Sequence, residues 1–244
     1  MLAEINKHIR DKDITFRERA HIYNVKGNTD YTSVTKKVHA LFEPFNADKI
    51  IDGMMNSMNW ESSPYYGMTK EDIKTKWKKD GLEASKLGTA MHLMFENYYN
   101  GIDTPSVSSV EATYFRNFVS EHQHLVPYRT EWKVFDEDKR LTGTIDMVFI
   151  NEDGTLSIYD WKRCKSIDHL NTYNKFSRCE KIKDIPDTNY WHYSLQLNLY
   201  KYILENNYGF IVKDMYLVQI HPNQDNYKKY NVPILTEAIQ NILE

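Results

Sequence analysis

In the segment Leu141–Lys165, LTGTIDMVFINEDGTLSIYDWKRCK, three charged residues fall where the surrounding pattern calls for burial. Two runs rich in apolar and β-branched residues, LTGTIDMVFI and TLSIYDWKR, flank the turn sequence NEDG, the signature of a β-hairpin. That pairing brings Asp146 in one strand near Asp160 in the next, and Lys162, two residues on, shares the sheet face of Asp160. Charges buried in a sheet are costly unless something compensates them. Two carboxylates that close repel, and one takes up a proton unless a divalent cation neutralises both. Oxygen ligands without thiolates favour Mg2+ or Mn2+ over zinc. A lysine beside such a metal can orient or deprotonate a water, which is the chemistry of phosphodiester hydrolysis. The alternative, on the hairpin alone, is a cross-strand Asp–Lys ion pair with no metal.

Two further pairs have helical spacing. His92 and Glu96 stand at i, i+4 in GTAMHLMFENYYNG, where an imidazole and a carboxylate on one face could supply a further ligand. Gln196 and Tyr200 repeat that spacing in QLNLY, a polar pair on an otherwise apolar helix. A buried glutamine must find partners, and a catalytic lysine or a phosphate would provide them.

The elements that must position these residues change character along the chain. Through the first hundred residues the pattern is mainly helical. Ser33 and Asn46 are placed as N-caps, and Thr69 with Asp72 forms a capping box ahead of TKEDIKTKWKK. A longer helix, LEASKLGTAMHLMFENYYNG, is stopped at Gly101, and Ser108 with Glu111 opens another. From Tyr128 the period becomes two, with YRTEWKVFDED preceding the hairpin strands. A long loop follows the hairpin, which marks it as a candidate functional segment. After it come the helix YWHYSLQLNLYKYILENNYG, the strand DMYLVQIHP and the terminal helix LTEAIQNILE. This order predicts an α/β chain with a central sheet flanked by helices. A helical N-terminal layer over residues 1–127, carrying the His92 helix, would pack on a sheet core over 128–244 in one integrated domain.

Composition narrows the classes. The 244 residues hold 31 Lys and Arg against 34 Asp and Glu, a net charge of -3, so nucleic acid would have to be held by local patches. Two are visible, Lys70–Lys86 and Lys162–Lys183. The two cysteines, Cys164 and Cys179, make no disulfide framework and fall short of the four thiolates of an iron–sulfur cluster. The N-terminus lacks an apolar signal-peptide core and no run approaches a membrane span, so an intracellular setting is expected: cytoplasmic by default, with nucleoid, nucleus or virus-infected cell as variants.

Taken together, the order Gly88-Thr89-x-x-His92, Gly143-x-x-Asp146, Asp160-x-Lys162 and Gln196-x-x-x-Tyr200 resembles the RecB-like branch of the PD-(D/E)XK nuclease superfamily, which includes the mitochondrial genome maintenance exonuclease and phage and viral exonucleases. The likeness covers roughly residues 30 to 225. It implies a restriction-endonuclease-like core with a central mixed β-sheet. His92, Asp146, Asp160 and the Trp161 carbonyl would bind Mg2+ or Mn2+, with Glu131 and Glu96 as secondary candidates. Lys162 would position the attacking water, and Gln196 and Tyr200 would support the lysine and the DNA backbone. YTSVT, residues 31–35, is similar to a segment near the nucleic-acid path of these exonucleases. The activity implied is deoxyribonuclease, acting on a single-stranded or duplex DNA end in replication, recombination or repair, alongside partners of those pathways. A structure-selective or RNA-directed endonuclease and a catalytically silent nucleic-acid-binding scaffold are the alternatives. An arching N-terminal layer would restrict strand entry, with Trp60, Tyr65 and Tyr66 available to stack on bases. The four-cysteine cluster of some relatives and any helicase motif are missing from this sequence.

Overall fold

The computed structural model describes residues 1–103 and 108–244. Its elements are α1 (Leu2–Ile5), β1 (Ile14–Arg17), β2 (Ile22–Val25), β3 (Thr32–Ser33), α2 (Val34–His39), α3 (Ala47–Met55), α4 (Lys70–Tyr99), α5 (Val110–Glu121), β4 (Val126–Asp136), β5 (Leu141–Ile150), β6 (Leu156–Lys162), α6 (Asn189–Asn207), β7 (Val212–Gln219), β8 (Lys228–Asn231) and α7 (Thr236–Leu243). Two compact units divide them, Met1–Glu43 with Met91–Glu244, and Pro44–Ala90.

The larger unit is built on a mixed sheet in the order β3-β5-β6-β7-β8, with β4 also paired to β5. β5 runs antiparallel to both β4 and β6, β6 and β7 are parallel, and β7 and β8 antiparallel. Alternation along β5 and β6 sends side chains to two separate cores. Met147, Phe149, Tyr159 and Trp161 pack with Met91 and Phe95 of α4 and with Phe115 and Phe118 of α5. Val148, Leu156 and Ile158 instead join α2, α6 and α7 through Val38, Leu195, Leu199 and Ile239. A sheet covered on both faces explains why β5 and β6 are apolar almost throughout. The mixed sheet flanked by helices is the architecture expected for a restriction-endonuclease-like core.

The smaller unit holds α3 and the first part of α4. Asn46 caps α3 by accepting from Lys49 N at 3.0 Å, and Thr69 and Asp72 close their reciprocal capping box. Lys70 pairs with Asp52 and Lys74 with Asp48, while Ile51 and Ile73 are fully buried. Two of the six lysines in Lys70–Lys86, Lys70 and Lys74, are thereby engaged in ion pairs. Tyr65 accepts a hydrogen bond from Trp77 Nε1 at 3.0 Å and Trp60 packs edge-on to Tyr66, so these aromatic residues serve local packing.

Several local readings need correction. The N-terminal part is not wholly helical: β1 and β2 form an antiparallel hairpin, and β3 adds to β5 in parallel. Strands of two to four residues are too short to announce a period of two. The two helices read between Thr69 and Gly101 are one, because Gly81 stays helical, where glycine costs only about 1 kcal/mol. α5 is capped by Ser109, whose hydroxyl accepts from Ala112 N at 3.1 Å, one residue beyond the expected Ser108.

Candidate metal centre

The hairpin of β5 and β6 is zipped only from its turn to Met147↔Tyr159. Beyond that pair β6 continues alongside β7, with Asp160↔Leu217 and Lys162↔Gln219, but no longer bonds to β5. The carboxylate of Asp146 takes over there: its Oδ2 accepts the Trp161 N–H at 2.9 Å. A side chain thus occupies the position of a ladder partner, and the hairpin opens into a cleft lined by acids.

Three ligand atoms converge at this opening. Those of His92, Glu131 and Asp146 all lie within 4.8 Å of one another. His92 reaches in from α4, with Nδ1 3.6 Å from Asp146 Oδ2 and 3.7 Å from Glu131 Oε1. Its other nitrogen, Nε2, lies 3.0 Å from the Trp161 carbonyl. A carbonyl can only accept, so Nε2 carries the proton of that contact and Nδ1 is turned to the acids. This is how metal-ligating histidines are held, by a hydrogen bond from the far ring nitrogen. The Trp161 carbonyl, expected as a ligand, here meets His92 Nε2.

Glu131 belongs at the centre of the set. Its neighbours pair as Thr130↔Met147 and Trp132↔Ile145, which sets Glu131 opposite Asp146. Its φ of 44° is left-handed, a conformation that costs a non-glycine residue on the order of 1–3 kcal/mol and that clusters at functional sites. No sequence signal distinguished this glutamate from other acids in a strand. Glu96, the other secondary candidate, stays outside the triad; it lines a neighbouring cavity of about 280 Å³ with Asn100, Arg129 and Glu131.

Asp160 is placed differently from expectation. Its carboxylate, 3% exposed, pairs with Lys162 Nζ at 2.6 Å and accepts from Gln196 Nε2 at 3.3 Å, and it is not among the converging ligands. The ion pair offered as the alternative does exist, within β6 rather than across strands, because i and i+2 share a face. Lys162 also lies 4.4 Å from the centre of the Tyr193 ring. Tyr193 precedes Gln196 by one helical turn, so the i, i+3 spacing places it on that face. Tyr23, bonded to Thr144 Oγ1 at 2.8 Å, comes from the unforeseen β2 and had no such signal.

Tyr200 is buried at 3% exposure and cannot touch a DNA backbone. It packs instead on Gly143, where a Cβ would sit 2.5 Å from Tyr200 Cε1. The glycine of the Gly143-x-x-Asp146 motif is thereby explained as room for a buried ring. A Cβ at Gly88, in contrast, would meet nothing within 4 Å.

The electrostatics are those of three carboxylates against one lysine and one imidazole. Burial opposes the charged form of His92, but Asp146, Glu131 and Asp160 outweigh it and raise its pKa to about 9. Burial lifts Asp160 to about 6, with Asp146 adding to the rise and Lys162 opposing it. Asp146 is raised by burial and by Glu131, against His92 and Lys162. Burial disfavours the Lys162 ammonium, yet Asp160 and Asp146 hold it protonated well above the usual lysine range. A divalent cation fits this set: it would replace the His92 proton, and two carboxylate oxygens with one imidazole nitrogen and no thiolate suit Mg2+ or Mn2+.

No family model matches the chain, and no curated protein is significantly similar to it. Among solved structures, SSO0001 aligns over 88% of this chain and 74% of its own, at 15% identity and a TM-score of 0.40. The "Putative exonuclease" of Eubacterium rectale aligns over 64% of this chain and 61% of its own, at 15% identity and a TM-score of 0.39. Likeness at that level leaves the site to be read from this chain's own geometry. No described helix is long and apolar enough to cross a membrane.

Proposed function

We propose that the chain is a metal-dependent deoxyribonuclease of PD-(D/E)XK type, acting as an exonuclease on DNA ends in replication, recombination or repair. The observation that carries this reading is the convergence of His92, Glu131 and Asp146 at the mouth of the opened hairpin, beside the Asp160–Lys162 pair. Without a cation the acids would repel a phosphodiester; a cation reverses the sign of the site. His92, Glu131 and Asp146 would hold Mg2+ or Mn2+, which when bound supplies Lewis acidity toward the scissile phosphate and a more acidic water.

The remaining roles fall to the chain's own groups. Asp160 and Asp146 hold Lys162 as an ammonium in the metal-free site, and its donors can orient a water or meet negative charge as it develops. Asp160 and the Tyr193 ring fix where that ammonium points, and Gln196 holds the Asp160 carboxylate. Trp161 contributes both backbone groups: its N–H aligns Asp146 and its carbonyl aligns His92.

The test is incubation with end-labelled single-stranded and duplex DNA, closed circular DNA and RNA, with Mg2+ or with EDTA. Loss of linear DNA from its ends in Mg2+ alone, with circles spared, is the expected result. Cutting of circles or of RNA would move the assignment to an endonuclease, and cleavage in excess EDTA would remove the metal from the reaction.

A further inference from the structure

The connection between β6 and α6, residues 163–188, leaves the site directly after Lys162. It is held in one shape by hydrogen bonds. Asn171 Oδ1 accepts from Lys175 N at 2.8 Å, Asp187 N donates to Lys175 O at 2.9 Å, and Asp168 N donates to Asn189 Oδ1 at 2.8 Å. Ser177, buried, donates its hydroxyl to Leu41 O at 2.9 Å. A loop so fixed would be expected to tuck its large apolar side chains inward. Instead Leu170 is 79% exposed, Tyr173 83% and Phe176 43%.

The segment that carries these side chains is basic on balance. Lys165, Lys175 and Arg178 are exposed, and Asp168 is the only acid in the segment 165–178. An open cavity of about 770 Å³ is lined by Ile167–Tyr173 together with Asp187, Thr188 and Asn189. On its wall His169 stacks on Tyr190, with ring centres 3.6 Å apart. Exposed aromatic and aliphatic side chains interleaved with Lys165, Lys175 and Arg178 match what single-stranded nucleic acid requires, with the phosphates on the side of these cations rather than in the cavity, whose charged residues are Asp168 and Asp187. Bases stack on the apolar groups and phosphates face the charges, with no need for sequence readout. Simple solvation of one exposed tyrosine does not account for a hydrogen-bonded loop that presents Leu170, Tyr173 and Phe176 together on a basic segment.

We infer that the loop 165–178 is a stacking platform for single-stranded DNA, on which Tyr173 receives a base and Lys165 and Lys175 contact the backbone of the strand that runs to or from the metal centre. The inference rests on the nuclease reading and extends it to the path of the substrate. Its place beside the site favours that occupant: His169 of the loop stacks on Tyr190, one turn of α6 from Tyr193, against whose ring Lys162 lies.

The experiment measures binding of a fluorescent oligothymidylate by anisotropy in calcium, in parallel with Mg2+-dependent cleavage. Tyr173→Ala should weaken binding roughly 10-fold, the scale of losing one base–aromatic stack, and Tyr173→Phe should restore it. An oligomer of abasic residues should bind the parent and Tyr173→Ala alike, since it has no base to stack. Lys175→Ala should lower the slope of log affinity against log salt by roughly 0.7, as for one single-strand phosphate contact. Unchanged melting temperatures will show that these exposed positions leave the fold intact. Parental binding by Tyr173→Ala overturns the platform, and if the parent still cleaves only with metal, the nuclease reading survives that failure. If the parent neither binds nor cleaves, both fall together. A parental dimer that Leu170→Ala dissociates, without change in DNA binding, would assign the patch to self-association and overturn the inference as well.

Discussion

Replacing Gly143 by alanine places a methyl group 2.5 Å from Tyr200 Cε1, 3.0 Å from its hydroxyl and 3.1 Å from Cζ. Relaxed carbon–carbon contacts lie at about 3.5–4.0 Å, so the ring or the strand must move by about 1 Å. Neither moves freely: β5 is paired to β4 through Val134↔Gly143, and the ring is buried in the core beneath α6. Overpacking of this kind costs roughly 1–3 kcal/mol, offset in part by roughly 0.4–1 kcal/mol from the reduced freedom of the unfolded chain. A net loss of roughly 1–2 kcal/mol corresponds to a fall in Tm of roughly 2–8 °C for a chain of this size. The sign should depend on Tyr200. Tyr200→Ala alone should cost roughly 3–5 kcal/mol by opening a cavity. On that background Gly143→Ala meets no ring and should be neutral or stabilising. Thermal and urea melts of the two single variants and the double variant close this cycle. If Gly143→Ala costs the same with and without the Tyr200 ring, the close approach is not what this glycine serves.

Lys162→Ala should slow single-turnover cleavage by roughly 10²-fold or more while binding DNA in calcium within a few-fold of the parent; a parental rate would leave Lys162 as nothing more than the partner of Asp160. Because a metal must displace the proton from His92, whose pKa is raised from 6.5 to about 9, Mn2+ affinity should climb with pH across that interval and level off above it. The same shift means that metal-free protein holds this proton more tightly folded than unfolded, so its contribution to stability is complete below 6.5 and lost as pH rises through about 9. His92→Ala should abolish both trends, in calorimetric titrations and in melts across pH. Ser109→Ala should cost about 1 kcal/mol through the lost cap on α5, whereas Ser108→Ala should leave Tm unchanged.

What could be read from the sequence follows from how locally each feature is encoded. The β5–β6 hairpin announced itself through two runs rich in apolar and β-branched residues on either side of a polar turn, and with it came Asp146, Asp160 and Lys162 on the right strands. Ser33, Asn46 and Thr69 were legible as caps because capping is settled within four residues. The division of labour between the acids was not. Whether Glu131 or Asp160 faces the convergence point depends on where the hairpin opens and on a left-handed residue in β4, and both are tertiary outcomes. The role of the Trp161 carbonyl likewise depends on which nitrogen α4 presents to it. β1 and β2 escaped notice because strands of four residues carry no usable periodicity, and Tyr23 went with them.

Hydrolysis dependent on a metal held by His92, Glu131 and Asp146 is tested most directly by following Mn2+ binding and single-turnover cleavage of end-labelled single-stranded DNA over one series of Mn2+ concentrations. The two curves should coincide for the parent, and Glu131→Gln should shift both to higher Mn2+ together, because a ligand of the resident cation governs occupancy and rate alike. Cleavage that persists in EDTA, or Glu131→Gln leaving both curves in place, would contradict a metal centre at these three residues.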